Sequence, residues 1–301
     1  MLDPGNTDME VVIYGAGSLG SLVGGLLART HDVTLVGREP HVGRVRADGL
    51  RITGAVEATV SPSAATRAPD RADLAVVTVK AFDTAGAARA LADRRPDCVL
   101  SLQNGLDNEA VLAGCVEAPV LAGTCTYGAR LVDPGRVECT GVGEIALGPR
   151  EGGRSAAADR VGQAFEAAGL ATTVAEDMPR RLWEKLAVNA GINATTALAG
   201  VANGALREGP GASVAAAAAR ETARAARADG VDLPGDRAVA ALRRVANATA
   251  RNRSSMCQDR EAGRRTEVDS INGAVAGRID APVNETLAGL VRAWERDRDL
   301  R

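Results

Sequence analysis

Apolar residues along this 301-residue chain fall into two regimes. In the first they come in short runs broken by glycine and proline. Glu10 to Tyr14 reads as a strand, and the glycine-rich stretch 15–20 leads from it into a helical segment, Ser21 to Thr30. Asp32 to Val36 reads as the next strand, so the order strand, turn, helix, strand predicts a βαβ unit. Leu74 to Val79 is an unbroken apolar run of the kind a parallel sheet buries on both faces. Ala85 to Ala92 has helical composition, and Cys98 to Leu102 and Val120 to Thr126 read as further strands. Asp133-Pro134-Gly135 is turn chemistry between the strands Ala129 to Val132 and Val137 to Thr140, and Glu144 to Leu147 is expected to close that antiparallel region. Arg154 to Ala168 is an amphipathic helix ending at Gly169, followed by a last short strand, Leu170 to Ala175.

After Asp177 and Pro179 the second regime begins. No strand of comparable quality follows, and helix formers dominate to the last residue. The domain boundary is therefore placed at residue 177. Ala212 to Ala228 is rich in alanine with interleaved Arg and Glu. It is read as a packed helix ending at Gly230, alanine being the best helix former.

Composition narrows the chemistry. Aromatic residues make up only 2%, so the core must be aliphatic, and stacking platforms for single-stranded nucleic acid are scarce. The formal net charge is −2 with no basic block, which argues against nucleic acid or an anionic membrane as a partner. No apolar run reaches the roughly 20 residues that span a bilayer. Met1 to Glu10 is acidic and polar, unlike a secretory signal, so a cytoplasmic location is expected. Five cysteines at 98, 115, 125, 139 and 257 form no CxxC, so neither a disulfide framework nor a metal site is expected. The two histidines, His31 and His41, leave little material for Ser-His-Asp catalysis.

The glycine turn Gly15-Ala16-Gly17-Ser18-Leu19-Gly20 follows a strand and opens a helix, which is the context a dinucleotide loop requires. Gly15 permits the tight turn, Gly17 lets backbone approach a pyrophosphate, and Gly20 lets helix and strand pack closely. The free N–H groups of the helix start favour phosphate. NAD sites usually place an acid at the end of the second strand. Here that region reads Leu35-Val36-Gly37-Arg38-Glu39. Arg38 can fork a 2′-phosphate, which favours NADP, although Glu39 stands beside it. Two further loops leave the carboxyl ends of strands, where open α/β sheets bind ligands. One carries Lys80, readable also as a solvated loop charge. The other carries Asn104, readable also as a left-handed turn residue before Gly105.

The most informative segment is Pro179 to Ala199. It is apolar on most sides, which implies a buried helix. Yet Lys185, Asn189 and Asn193 recur every fourth residue and share one face. An amine on a buried face is costly unless used or paired. The alternative is a solvent-facing stripe on a half-buried helix. Asn203-Gly204 marks a turn after this helix. Ser254-Ser255 resembles a serine-capped helix start, and Glu267 follows.

These motifs together resemble the ketopantoate reductase family: GAGSLG (15–20), VKAF (79–82), QNG (103–105), GTCTYGAR (123–130), LWEKLAVNAGINATTAL (182–198), NGALR (203–207) and SSMCQDREAGRRTEVDSING (254–273). They keep one order over nearly the whole chain. The resemblance implies an α/β Rossmann domain with a doubly wound, mainly parallel sheet over 1–177. An all-helical substrate domain over 178–301 would follow, with the site in the cleft between them. It implies NADPH reduction of 2-dehydropantoate to pantoate, a step toward pantothenate and coenzyme A. Lys185 matches the proton donor. Asn189, Asn193, Asn203 and Ser255 match substrate-binding positions. Asn104 matches a residue touching cofactor and substrate. Lys80, Gly128 and Glu267 match cofactor-side positions, as do Gly15 to Gly20. Gln103 and Tyr127 stand where relatives can carry histidine, and Gly128 where alanine is found. Burial would lower a lysine from its ordinary pKa of about 10.4, which suits a general acid. A small-molecule keto acid is the expected partner, and the helical half is where a homodimer would form. Two readings stay beside this one: reduction of another 2-oxo acid or an imine, and a non-catalytic NADP-binding regulator.

Overall fold

The computed structural model describes residues 8–301. Most of the Met1 to Glu10 segment read above as acidic and polar therefore lies outside the described residues. The described residues up to Gln103 form one compact unit with Asp107–Met178, and Asn104–Leu106 join Pro179–Arg301 in the other.

The first unit is built on an eight-stranded sheet. In chain order its elements begin with β1 (Glu10–Tyr14), α1 (Ser18–Leu27), β2 (Asp32–Val36) and α2 (His41–Asp48). Next come β3 (Leu50–Gly54), β4 (Ala58–Val60), β5 (Ser63–Ala65), β6 (Leu74–Val77), α3 (Thr84–Ala92), β7 (Val99–Ser101) and α4 (Asn108–Ala113). They are followed by β8 (Val120–Cys125), β9 (Gly128–Asp133), β10 (Arg136–Gly141), β11 (Ile145–Pro149), α5 (Ala156–Ala167) and β12 (Thr172–Val174). The sheet order is β12-β11-β8-β7-β6-β1-β2-β5. Every neighbouring pair is parallel except β8 with β11. The order reverses between β1 and β6, and the crevice at such a switch point is where open sheets bind ligands. All four residues of β6 are buried, as its unbroken apolar run requires.

β11 departs from the sequence reading. It does not close the β9–β10 hairpin but pairs antiparallel with β8, Ile145 opposite Cys125. Ile145 to Gly148 are buried, and a strand buried on both faces belongs inside the large sheet. The hairpin joins instead a second sheet, ordered β4-β3-β10-β9, that the sequence did not reveal. Helix α1 lies between the two sheets. A Cβ on Gly24 would meet Leu35 and Ile13 of the large sheet, and one on Gly25 would meet Leu50 and Ile52 of the small one. Two adjacent glycines thus let one helix touch both layers.

The second unit is helical: α6 (Met178–Ala199), α7 (Pro210–Ala228), α8 (Gly235–Ala248), α9 (Ser255–Glu261), the short α10 (Ala274–Ala276) and α11 (Pro282–Arg296). Its core is mostly alanine and other small aliphatics, with Trp183 its one buried aromatic. Small side chains let helices approach closely. A Cβ on Gly191 of α6 would lie 2.2 Å from Leu242 and 2.7 Å from the Ala215 carbonyl. The buried Glu221 of α7 caps α11, accepting the N–H groups of Val283 and Asn284 at 3.1 and 2.9 Å. Among the described residues no helix is long and apolar enough to cross a membrane.

Candidate active site

Each glycine of the loop stands in a different steric setting. Gly15 has φ +118°, a conformation L side chains rarely adopt, and its N–H and that of Ala16 both donate to the Val36 carbonyl. A Cβ on Gly20 would lie 2.2 Å from the Gly15 carbonyl oxygen and 3.0 Å from Ile13, so helix and strand close only on glycine. Gly17 is different: beyond its own chain neighbours, no heavy atom of the described residues lies within 4 Å of where its Cβ would stand. Gly17 is also the N-cap of α1, no side chain caps it, and no acid occupies the first turn. Open space, uncapped N–H groups and an unopposed positive helix end together fit a pyrophosphate. Leu19 is half-buried and packs on the core, so it contributes backbone to this loop.

Two side chains hold the loop: Thr78, which sequence reasoning did not single out, and Ser18 of the loop itself. Thr78 Oγ1 donates to the Gly15 carbonyl at 2.8 Å. The signal for it was a lone hydroxyl inside the apolar run that ends at Val79. Ser18 Oγ accepts the Leu131 N–H at 3.0 Å, tying the loop to β9 of the small sheet. Gly128 begins β9, and a Cβ there would lie 2.4 Å from Thr140 Oγ1. Close strand packing is thus a structural reason for glycine at 128.

Arg38 is exposed just beyond β2. Its neighbour Glu39 is otherwise engaged: Oε2 accepts the Gly43 N–H at 2.9 Å and Oε1 pairs with Arg46. Glu39 thus serves the first turn of α2. Lys80 is half-buried and precedes the 3-10 turn Ala81–Asp83.

The second unit gathers side chains. On α6, Lys185 and Asn189 are half-buried and Asn193 is only 5% exposed, so the polar stripe runs into the protein rather than along solvent. Asn189 Nδ2 donates to Asn104 Oδ1 at 3.4 Å, and Asn104 Nδ2 donates to Glu267 Oε2 at 3.4 Å. Three residues separated widely in sequence form one chain of long polar contacts. Gly105, not Asn104, takes the left-handed φ of +92°. A Cβ at Gly105 would meet the Ser270 carbonyl at 2.6 Å, and the Leu106 N–H donates to that same oxygen. The loop 104–106 is therefore seated on the segment that carries Glu267.

One turn beyond Asn193, the buried Thr196 Oγ1 meets Ser254 Oγ at 2.7 Å. Ser254 caps α9, accepting the Cys257 N–H at 3.2 Å. This fixes the start of α9 to α6, and Ser255 is exposed there as its first residue. Asn203 is not drawn into the Asn189–Asn104–Glu267 chain. Its Nδ2 donates to Thr249 Oγ1 at 2.9 Å, while Oδ1 is buried without a partner. Glu267 is itself braced from behind. The Thr266 N–H and hydroxyl both donate to the fully buried Glu295 at 2.7 Å, and Arg301 donates to the other oxygen of that carboxylate at 2.6 Å.

The five cysteines are free, and burial pushes the Cys98 thiol up to about 11. Among the described residues no group of three or more His, Cys, Asp or Glu is placed to hold a metal.

Comparison with known proteins fits this arrangement. Residues 11–152 match the family profile "Ketopantoate reductase PanE/ApbA", and residues 177–295 match its C-terminal counterpart. The chain is 49% identical to the 2-dehydropantoate 2-reductase of Halobacterium salinarum, over 96% of this chain and all of that one. A crystal structure of a ketopantoate reductase from Ralstonia eutropha superposes with a TM-score of 0.88 at 34% identity, covering 97% of this chain and 100% of that one. D-mandelate dehydrogenase, solved with NADH and anilino(oxo)acetate, shares the fold at a TM-score of 0.91 and 23% identity, with 97% and 100% of the two chains covered. With a Rossmann-type N-terminal half, a helical C-terminal half and both profiles matched in order, this chain belongs to the ketopantoate reductase family of oxidoreductases.

Proposed function

We propose that the chain reduces 2-dehydropantoate to pantoate with NADPH, Lys185 giving the proton. The observation that carries this reading is the amine and two amides on one face of the otherwise buried α6, joined through Asn189 and Asn104 to Glu267. Apolar helices do not gather such groups without use or pairing. The curated relative from Halobacterium salinarum carries that substrate in its name.

The first unit would hold the dinucleotide at Gly15 to Gly20, and Lys80, Gly128, Asn104 and Glu267 match cofactor-side positions of the family. Bound there, the cofactor supplies a hydride to the ketone carbon. Negative charge then grows on the carbonyl oxygen, and the Lys185 ammonium is the group to stabilise it and give up a proton at Nζ. Asn189 and Asn193 offer amide N–H donors, Asn203 an amide, and Ser255 a hydroxyl, for the substrate's carboxylate and hydroxyl. The preference for NADPH rests on Arg38. Its exposed guanidinium can fork a 2′-phosphate, while the acid beside it is occupied in α2. Five free cysteines agree with a reducing, cytoplasmic setting.

The test is loss of nicotinamide absorbance with 2-dehydropantoate, beside a panel of other 2-oxo acids, each with NADPH and with NADH. Fastest turnover with 2-dehydropantoate and NADPH is expected. Fastest turnover with another keto acid would overturn the substrate assignment and leave the roles on α6 standing. Nucleotide binding without turnover on any acid would bring forward the regulator. Arg38→Ala should lower the preference for NADPH over NADH about tenfold, the size of one lost charge-assisted contact.

A further inference from the structure

Gln103 lies two residues beyond β7, and neither the motif reading nor the proposed chemistry gives its side chain a role. It is only 5% exposed. Its amide nitrogen donates twice: to the Val79 carbonyl at 3.0 Å and to Thr84 Oγ1 at 2.7 Å. Both donors of the NH2 group are therefore used. Val79 and Thr84 are the two ends of one loop, and Lys80 lies between them, directly after Val79. Thr84 Oγ1 in turn contacts the Ala81 carbonyl at 2.8 Å and Asn108 Oδ1 at 2.9 Å. One buried amide thus bridges the ends of the loop that presents Lys80. A buried polar group fully engaged in this way fixes geometry, because any shift would leave a donor unpaired.

We infer that Gln103 is a positioning residue for dinucleotide binding: it sets the conformation of the loop 79–84 and so aims Lys80. The inference rests on the reading of Lys80 as a cofactor-side residue. The amide touches neither cofactor nor substrate and acts only through that loop. In this chain the bridge is made by two donors on one atom. Methionine matches its length and volume with no donor at all, and glutamate matches its shape with acceptors only.

The experiment is a double-mutant cycle read as NADPH dissociation constant and KM, with thermal unfolding measured alongside. Gln103→Met should weaken NADPH binding about tenfold in the wild-type background. In a Lys80→Ala background the same substitution should weaken it less than about twofold, because nothing remains to be aimed. Its effect on thermal unfolding should be equal in both backgrounds, which separates positioning from support of the fold. Full additivity of the two substitutions would overturn the inference. So would unchanged NADPH affinity in Gln103→Met beside a weakened Lys80→Ala. If Lys80→Ala alone left NADPH binding unchanged, the role of Lys80 would fall, and with it the route by which Gln103 acts. If Gln103→Met did not fold, Thr84→Val would carry the same cycle, since it removes the acceptor at one end of the bridge and keeps the side-chain shape.

Discussion

The candidate sites of the two units are built by opposite means. The first uses backbone: a glycine loop, a helix start and the ends of parallel strands, with side chains such as Thr78 and Ser18 holding the loop in place. The second uses side chains, spaced along α6 and joined across helices by polar contacts. A backbone site is set by shape and fails by steric intrusion. A side-chain site is set by functional groups and fails by their removal. The first kind announces a cofactor class and little more. The second kind carries the information about the reaction. Removal of the proposed proton donor should therefore give the largest effect. Lys185→Ala should lower kcat by about 10² to 10⁴, the range for a lost general acid, with NADPH affinity within about twofold of wild type. A kcat near wild type would move the proton donor elsewhere and remove the sharpest contrast between the units.

The same substitution at two glycines probes the backbone side. In Gly20→Ala the new Cβ would meet the Gly15 carbonyl, Thr78 Oγ1 at 2.5 Å and Ile13, all of them fixed. Overpacking of that kind costs about 1–3 kcal/mol, or several degrees in Tm, and should distort the loop as well. In Gly17→Ala the Cβ meets nothing, and φ is an ordinary −85°. Tm should fall by only about 1–3 degrees, because the methyl group meets nothing and the loss is that of alanine for glycine at an N-cap. NADPH affinity should nevertheless fall, by about tenfold, because the methyl group enters the space proposed for the pyrophosphate. Differential scanning fluorimetry with and without nucleotide checks both. If Gly17→Ala bound NADPH as wild type does, the open space at Gly17 would not be the phosphate seat.

Legibility followed the same divide. The strands Glu10–Tyr14 and Asp32–Val36 were readable to the residue, because an apolar run ending in a glycine turn leaves little choice. The polar stripe of α6 was readable because helical spacing alone puts Lys185, Asn189 and Asn193 on one face. Elements set by distant partners were not. β3 shows only Leu50 and Ile52 as an alternation, and what makes it a strand is pairing with β4 and with β10 far along the chain. β4 and β5 are three residues each, too short for periodicity to speak. β11 was readable as a strand but not assignable to a sheet, since register belongs to the partner as much as to the strand. In the site, Glu267 was found only as a motif position, and Asn104 also as a residue of a loop at the carboxyl end of a strand. Their meeting depends on the seat that Ser270 gives to Gly105. Gln103 was visible only as a departure, because a buried amide shows its use only when its acceptors are placed.

Acid should tell the two units apart by different groups and in different pH windows. In the first unit, the buried His41 ties α1 to the β9–β10 turn. Its Nδ1 accepts the Gly135 N–H at 3.0 Å, so Nε2 carries the proton and donates to Ser21 Oγ at 2.9 Å. Burial pushes its pKa below the usual value of about 6.5. The unfolded chain then binds the proton first, so stability is intact above about pH 6.5 and falls as pH drops toward the lower folded pKa. Protonation also sets two N–H groups against each other at Gly135, a loss of about 1 kcal/mol. In the second unit the corresponding group is Asp269. Burial alone would raise its pKa, but the Arg292 and Arg301 guanidiniums, at 2.8 and 2.6 Å, hold it below the usual carboxylate range. Its contribution is present above about pH 3.9 and is lost only as pH falls below that toward the folded pKa. Between pH 7 and 5, then, His41 is the group of these two that titrates. Both tryptophans, Trp183 and Trp294, lie in the second unit, so their emission reports that unit alone. Thermal unfolding followed by calorimetry should lose stability over this range in the wild type and much less in His41→Gln. Asp269→Asn should leave the slope between pH 7 and 5 unchanged and lower the tryptophan-detected transition at every pH above 4. An acid slope that survives His41→Gln would show that the neutral clamp is not what sets the acid limit of the first unit.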